Sequence, residues 1–521
     1  MDLRMKNLVI VEASGKVDSL RRELKGIGLF ADVVATVGHI ADNPKSLVPI
    51  ELDENLRERS YAYREDRAAL LEKIRRLAAG ADRIFVATDD DQEGDVIAWD
   101  LSKLLDSHAE RLFRVRLRAI TESELSAAFS GQLSQNFEPY ARNGVCRRVI
   151  DRAIGATFTL VAGKDTVPVG RVQSSLLASI AADPPAAGRY TVAVTVDDGA
   201  RFTAGLPVHS AAELAAFERV HAALAAGQGK IVAHDEVLEP LSTPWGYEQV
   251  VIEVCERLKV PVGQAADLFQ EAYEKGRVSY PRVRSGVFTR DAVEVAAALA
   301  RHNRCSFDRT RLQVRDESGS ADSAHEAPRV YDGEMMLGRS LNVLDPADAV
   351  AVLVARNIIE AAQVIKVRRL TVEVEGIELT LRHWQESARR NWKRPEPETG
   401  YHAWSRELAI LRYMGEKGLG RPSTVVGHAM RLVQRGLLEE TGTAVSLSSR
   451  GERWLARARE VGFTAEISQE MERALERPMR DPHARAAEIL EAHGMLEPVR
   501  KFVTAAAPAM AAPEDANMEP V

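Results

Sequence analysis

Four acids crowd into five positions at Asp89-Asp90-Asp91-Gln92-Glu93, directly after a short β-branched and aromatic run, Ile84 to Val86. Carboxylates this close repel one another, and keeping them ionised calls for a cation. The spacing D-x-D-x-E-G places Asp89, Asp91 and Glu93 where all three could turn toward one oxygen-lined site, and hard carboxylate oxygens with room for water and phosphate suit magnesium. A solvated acidic turn is the plainer alternative. Against it stands a further acid, Glu12, which ends another apolar run, Leu8 to Val11. Strand ends in an open α/β sheet are where ligands normally sit. Far along the chain, Pro281 biases Tyr280 toward extended backbone, and Arg282 then points to the same side. A phenol beside a guanidinium can attack a phosphodiester while the fork holds the phosphate. A strand tyrosine next to a surface arginine would look the same.

Other candidates are similarly two-sided. His325-Glu326 follows a polar loop and is either a functional pair or structural. Gly418 to Thr424 reads as a Gly-rich turn with Ser423 or Thr424 capping the helix beyond. Its amides and Arg421 could hold a phosphate, and a plain turn explains it equally well. No G-x-x-x-x-G-K-[ST] occurs, so an ATP-binding P-loop is not indicated.

The elements that must position these residues alternate at first. Strand 8–11, a helix through Leu20, Leu24 and Ile27, strand 32–37, a helix over 65–77, strand 84–86, a helix over 95–105 and strand 113–117 follow in turn. Thr121 to Glu124 is a capping box opening another helix. This alternation predicts a parallel sheet whose strand ends share one edge, where Glu12 and the acids at 89–93 can meet. Residues 140–182 read as helical and basic, with Arg142, Arg147, Arg148, Arg152, Lys164 and Arg171. β-like stretches at 190–206, 230–237 and 366–383 flank a helical region at 247–300, predicting one β part entered twice. Residues 403–496 read as helical, and 505–521 as a tail without periodicity.

At 521 residues the chain should hold several domains, and its net charge of −7 argues against a generally basic coat without excluding a local basic groove. The three cysteines, Cys146, Cys255 and Cys305, lack CxxC spacing, so zinc ribbons and disulfides are not expected. A reducing, cytoplasmic setting and no membrane span are the natural reading.

Together the segments resemble type IA DNA topoisomerases, in the family's order along the chain. Ile10 to Lys16 is similar to I-V-E-S-P-x-K, Val37 to Ile40 to V-G-H-I, and Thr88 to Trp99 to T-D-x-D-R-E-G-x-x-I-A-W. Gly170 to Ser174 matches G-R-V-Q-S, Tyr280-Pro281-Arg282 lies at the active-site Y-x-R, and Ala324 to Ala327 matches A-H-E-A. Lys417 to Thr424 resembles K-G-[IL]-G-R-P-S-T. Five positions depart: Gln92 stands for arginine in the acid motif, Asp90 adds a charge there, Val283-Arg284 replaces Thr or Ser followed by Asp, and Pro328 replaces an apolar residue.

The resemblance implies a multidomain α/β protein with mainly-α and β parts, a toroidal four-domain core opened by a Toprim domain. It divides the chain into Toprim 1–130, a helical DNA-binding domain at 131–187 and 389–500, a β-rich arch at 188–241 and 331–388, a helical domain with the nucleophile at 242–330, and a disordered tail at 501–521. It implies a monomer that acts on single-stranded segments of negatively supercoiled DNA with Mg²⁺ and without ATP. Tyr280 would become linked to a 5′ phosphate, with Arg282, Glu12 and Lys16 assisting. Asp89, Asp91 and Glu93 would hold the metal, and Arg171, Gln173, His325, Arg421 and Ser423 would contact DNA. The alternatives are another Toprim enzyme, a nuclease or primase, or a single-strand-binding relative with impaired catalysis.

Overall fold

The computed structural model describes residues 5–506 except 48, 119, 132, 163–169, 315–325, 386–387, 441–442, 461 and 465. Four parallel strands open the chain in the spatial order Ala31–Ala35, Asn7–Val11, Arg83–Val86, Leu112–Arg114. Val9 lies level with Val33 on one side and Phe85 on the other. Side chains alternate between faces, as the strand period requires. Leu8, Ile10, Ile84 and Val86 pack with helices Ala68–Ala79 and Gln92–Leu104. Val9, Val11 and Phe85 pack with helices Lys16–Gly26 and Glu122–Ser130. A sheet covered on both faces explains why its strands are apolar throughout. Because every strand is parallel, the carboxyl ends share one edge, and Glu12 and Asp89 emerge there.

The turn between Val86 and the following helix is held tightly. Thr88 Oγ1 donates to the Gly94 carbonyl at 2.7 Å, and the Gly94 amide donates to Asp91 Oδ1 at 2.7 Å, so Asp91 caps the helix. A Cβ at residue 94 would sit 2.3 Å from the Asp89 carbonyl oxygen. Only glycine lets the helix start fold this closely under the acids.

A second, antiparallel sheet runs in the order Gly400–Ala403, Gly188–Thr195, Arg201–Val208, Ile377–Gln385, Val364–Val374, Lys230–Pro240. Chain segments before and after the long helical excursion thus share one sheet. The Val364–Gln385 hairpin turns on Glu375 and Gly376, both with positive φ, as a two-residue hairpin turn requires.

Helix Ala211–Ala225 packs on this sheet, and the other helices share one continuous apolar cluster that reaches from Ile150 through Phe269 and Ile358 to Val503. Three expectations change here. Residues 331–363, assigned from the resemblance to the β-rich arch, carry helix Pro346–Ala361, capped by Asp345 and buried among the other helices; strand alternation begins only at Val364. Strand Gly400–Ala403, assigned to the helical part, joins the β sheet against Gly188–Thr191. Helix Leu496–Ala506 carries the chain into the expected tail because Val499 and Val503, one turn apart, are buried. A short hairpin, Leu438–Glu440 with Val445–Leu447, also interrupts the helical run at 403–496. Among the described residues no helix is long and apolar enough to cross a membrane.

Gly94→Ala should lower the thermal midpoint, at a cost of roughly 1–3 kcal/mol for inserting a methyl into a packed backbone contact. Gly155→Ala is the control, since its new methyl would meet only the Leu47 side chain at 3.4 Å. Equal midpoints for the two variants would contradict the close approach.

Candidate active site

Residues far apart in sequence meet at the carboxyl edge of the parallel sheet. Tyr280 Oη donates to Asp91 Oδ2 at 2.5 Å, and the Tyr280 amide donates to the Arg118 carbonyl at 3.2 Å. Tyr273, on helix Val262–Glu274, donates to Asp89 Oδ1 at 3.0 Å and stands edge-on to the Tyr280 ring at 5.6 Å between centroids. Lys16 is fully buried and forms an ion pair with Asp89, its Nζ lying 3.9 Å from Glu12 and above the Tyr273 ring. Arg282 reaches Glu93 at 3.9 Å. Asp90 turns away from the group, toward Arg116 at 3.2 Å and Arg118 at 2.7 Å.

Burial and charge set the protonation states. Burial, with Asp89 beside it, holds the Glu12 carboxyl well above the usual carboxylate range. Burial, the largest single influence, would also raise Asp89, but Lys16, a hydrogen bond with Glu12 and the Arg282 charge together keep that carboxyl low. Two adjacent acids are thus pushed in opposite directions, one toward holding its proton and the other toward losing it. Burial, then Asp91 and Asp89, push the Tyr280 phenol well above its usual range, so it is neutral near pH 7. Burial opposes the Arg282 charge, yet Tyr280, Asp91, Glu93 and Glu12 hold its pKa above the ordinary value.

The acids do not converge as their spacing suggested. Asp89 faces Lys16 and Tyr273, Asp91 faces Tyr280 and the helix it caps, and Glu93, in the first helical turn, faces Arg282. Among the described residues no three His, Cys, Asp or Glu side chains are gathered around one point. The residues nonetheless fit a hard divalent cation. Glu12 Oε2 and Asp89 Oδ2 are buried acceptors with no hydrogen-bond donor. Four carboxylates, Glu12, Asp89, Asp91 and Glu93, stand against the two cations Lys16 and Arg282. Magnesium commonly takes one or two protein carboxylates and completes its shell with water and phosphate.

Beside the acids opens a cleft of about 440 Å³ between the parallel-sheet part and the helices. Gln92, Glu93, Arg147, Gln173, Arg421, His428, Arg431 and Arg435 line it. Arg421 feels Asp91 and Glu93, although burial and neighbouring Arg147 lower its pKa. Burial and Arg431 push His428 down to about 4, leaving a neutral ring. Gln173 lies on the cleft wall and accepts from Arg435 Nη1 at 2.7 Å. Arg171, expected to reach for DNA, is buried instead and joins three helices through Asp151 and Glu472, each at 2.8 Å, and Ser468 Oγ at 3.2 Å. Ser423 sits in the turn before helix Val425–Gln434, where Thr424 takes the cap position without a capping side-chain bond. Gly418 and Gly420 in that loop both have positive φ. His325 lies outside the described residues.

Residues 7–120 match the Toprim domain family, and residues 135–398, half of the chain, match the DNA topoisomerase family. The chain belongs to the type IA DNA topoisomerases. DNA topoisomerase 1 of Campylobacter jejuni is 30% identical to it over 175 residues, covering 33% of this chain. That alignment spans only 24% of the curated relative's own length. The solved structure of full-length topoisomerase I from Thermotoga maritima superposes with a TM-score of 0.63 over 93% of this chain and 89% of that one, at 18% identity.

Two residues of this topoisomerase site escaped the sequence reading. Tyr273 falls on the apolar face of a helix and gives no signal apart from its place seven residues before Tyr280. Arg329, 1% exposed, pairs with Glu326 at 2.7 Å, Asp291 at 3.0 Å and Glu124 at 3.6 Å. Its amide donates to Ser279 Oγ at 3.0 Å and its carbonyl accepts from the Ser279 amide at 2.8 Å. It therefore holds the residue preceding Tyr280 against the parallel-sheet part.

Glu472, clamped by Arg171 and Arg147, is the acid whose titration should be read in stability. Burial opposes its charge, but the two guanidiniums bring it down to about 2 from 4.5. A depressed folded pKa gives stability that is present above about pH 4.5 and lost as pH falls toward 2, on the order of 3 kcal/mol. Acid denaturation of Glu472→Gln should therefore be shallower across that window than wild type, and less stable at pH 7. Parallel pH profiles for the two proteins would count against the clamp.

Proposed function

We propose that the chain cleaves one DNA strand through Tyr280, lets another strand pass, and reseals the break, relaxing negatively supercoiled DNA. The observation that carries this reading is the Tyr280 hydroxyl on Asp91 within a group of acids, a lysine and an arginine. A phenol held this far above its usual range needs a proton acceptor, and Asp91 is the carboxylate in contact with it. As Oη bonds to phosphorus, its proton moves to Asp91 and the bond from phosphorus to the 3′ oxygen breaks. Glu12, kept protonated by burial and Asp89, gives its proton to that leaving oxygen. Positioned transfer of this kind contributes about 10²–10⁴ in rate. Resealing runs the same steps backward: the 3′ hydroxyl attacks, and phenol and Glu12 regain their protons. One phosphodiester is exchanged for another, so no ATP is required.

Arg282 would orient the scissile phosphate and offset its charge in the transition state. Lys16 would steady the Asp89 carboxylate and the phosphate beside it. Asp89, with Asp91 or Glu93, would hold Mg²⁺, which when bound helps align the 3′ hydroxyl and phosphate. A single strand would lie in the arginine-lined cleft, with Arg421 at its boundary with the acids. Tyr280 is only 3% exposed, so the segment carrying it must part from the acids before a phosphate can enter.

Denaturant trapping on end-labelled single-stranded oligonucleotides tests the reading. With Mg²⁺ the protein should retain the fragment downstream of the break, seen with the 3′ label, and free the 5′-labelled fragment with a 3′ hydroxyl. Tyr280→Phe should lose the adduct and plasmid relaxation while binding single strands within a few-fold of wild type. Hydrolysis or primer synthesis surviving Tyr280→Phe would instead assign the acids to a nuclease or primase.

A further inference from the structure

A second strongly basic surface lies outside the cleft. In a chain of net charge −7, residues 301–311 and 389–394 together carry eight arginines and lysines against the single acid Asp308. They meet around an open pocket of about 550 Å³ lined by Arg301, Arg304, Arg309 and Arg389 with Ser306 and Phe307. Arg309 is paired with Glu294 at 3.0 Å. Among the described residues no carboxylate pairs with Arg301, Arg304 or Arg389, and all three are exposed.

Their backbones are fixed before any ligand arrives. The Ser306 amide donates to the Arg389 carbonyl at 2.9 Å, and the Arg389 amide donates to Ser306 Oγ at 3.0 Å. Gln363 Nε2 donates to the Ser306 carbonyl at 2.8 Å. Arg304 follows the C-terminal cap of helix Arg290–His302 with φ of +54°, a position that glycine normally fills. Cations at a helix C-terminus can serve the helix dipole alone. That does not account for Arg389, which arrives from a distant segment, nor for a side chain kept where the backbone favours none.

We infer that this pocket binds the phosphodiester backbone of a DNA segment other than the one cleaved at Tyr280. The inference rests on the reading of the chain as a DNA-cleaving enzyme. Helix Arg290–His302 separates the two places: its first turn touches Arg329 through Asp291, beside Ser279, and its last turn carries Arg301, ten residues on, about 15 Å away at 1.5 Å per residue. Three guanidiniums lining one pocket on a hydrogen-bonded frame suit phosphate oxygens, and beside the Phe307 ring the apolar lining is only the small side chains of Ala297, Ala300 and Cys305.

The test compares wild type with Arg301→Gln/Arg304→Gly/Arg389→Gln in the full chain. Arg304→Gly removes the charge while easing the backbone, so Arg304→Gly alone keeps the test readable if the triple variant folds poorly. Each phosphate contact contributes about 0.9 to the slope of log affinity against log salt on duplex DNA. The slope for a short duplex should fall by about 2–3 in the triple variant and about 1 in Arg304→Gly. Adduct yield on a short single strand that fills only the cleft should stay at the wild-type level. An unchanged duplex slope, or adduct yield falling in step with it, would overturn the inference. So would tripolyphosphate binding lost in the variant with the duplex slope intact, which assigns the pocket to a free polyphosphate. Failure of the DNA-cleavage reading would show separately, as no adduct in wild type.

Discussion

Everything at this site depends on holding several carboxylates together without letting them push each other apart. The parallel sheet does the gathering, because its strands all end on one edge. Lys16 and Arg282 make the gathering tolerable, one fully buried and the other partly so. A buried ion pair such as Lys16 with Asp89 is not a strong source of stability, since desolvating both groups costs about as much as their attraction returns. Its retention makes sense as a device for keeping Asp89 charged and Glu12 protonated side by side.

The way the site is assembled bears on how it could open. The parallel-sheet part has its own two apolar clusters, and Tyr273 and Tyr280 belong to the separate cluster of the helices. The contacts that carry Tyr280 to the acids are polar: its hydroxyl on Asp91, its amide on Arg118, Tyr273 on Asp89, Ser19 Oγ on the Glu274 carbonyl at 2.8 Å, Arg329 with Glu124. Polar contacts can be exchanged for water or for a phosphate, whereas parting an apolar core exposes surface at roughly 25 cal/mol per Å². The seam beside Tyr280 is thus of the kind that water or a phosphate can replace.

Much of the fold was legible in the chain because it is local. The two-residue period of Leu8 to Val11 and Arg83 to Val86 fixed their faces, and Thr121 caps its helix by accepting from the Glu124 amide at 3.4 Å, while the Glu124 carboxylate faces Arg329 instead of closing the box. The convergence of Glu12, Lys16, Asp89 and Tyr280 was legible only through resemblance, since no periodicity brings residue 280 to residue 91. Side-chain direction was not legible. Arg171 looks like any basic residue ahead of a helix, and its commitment to Asp151 and Glu472 is a property of three helices meeting. The three acids looked alike by spacing, yet Asp91 caps a helix and Glu93 begins one, so they point differently. Helix Pro346–Ala361 is apolar nearly all round, a pattern that a buried strand can share.

The departures from the family pattern bear on whether the site is intact or decayed. Gln92 accepts from Arg147 Nε at 3.3 Å, where an arginine would set two guanidiniums together beside Arg421. Asp90 adds a charge, and Arg116 and Arg118 take it up away from the acids. Val283 is buried in the helical core and its carbonyl accepts from the Tyr247 amide at 2.8 Å. Arg284 pairs with Glu248 and donates to the Gly420 and Leu419 carbonyls at 2.9 and 3.2 Å, fastening the stretch after Tyr280 to the Gly-rich loop that holds Arg421. Nothing in the structure explains Pro328. Mutational decay removes partners and leaves charges stranded; here each altered charge has a counterpart, and Tyr280, Arg282 and Lys16 stay in contact with the acids.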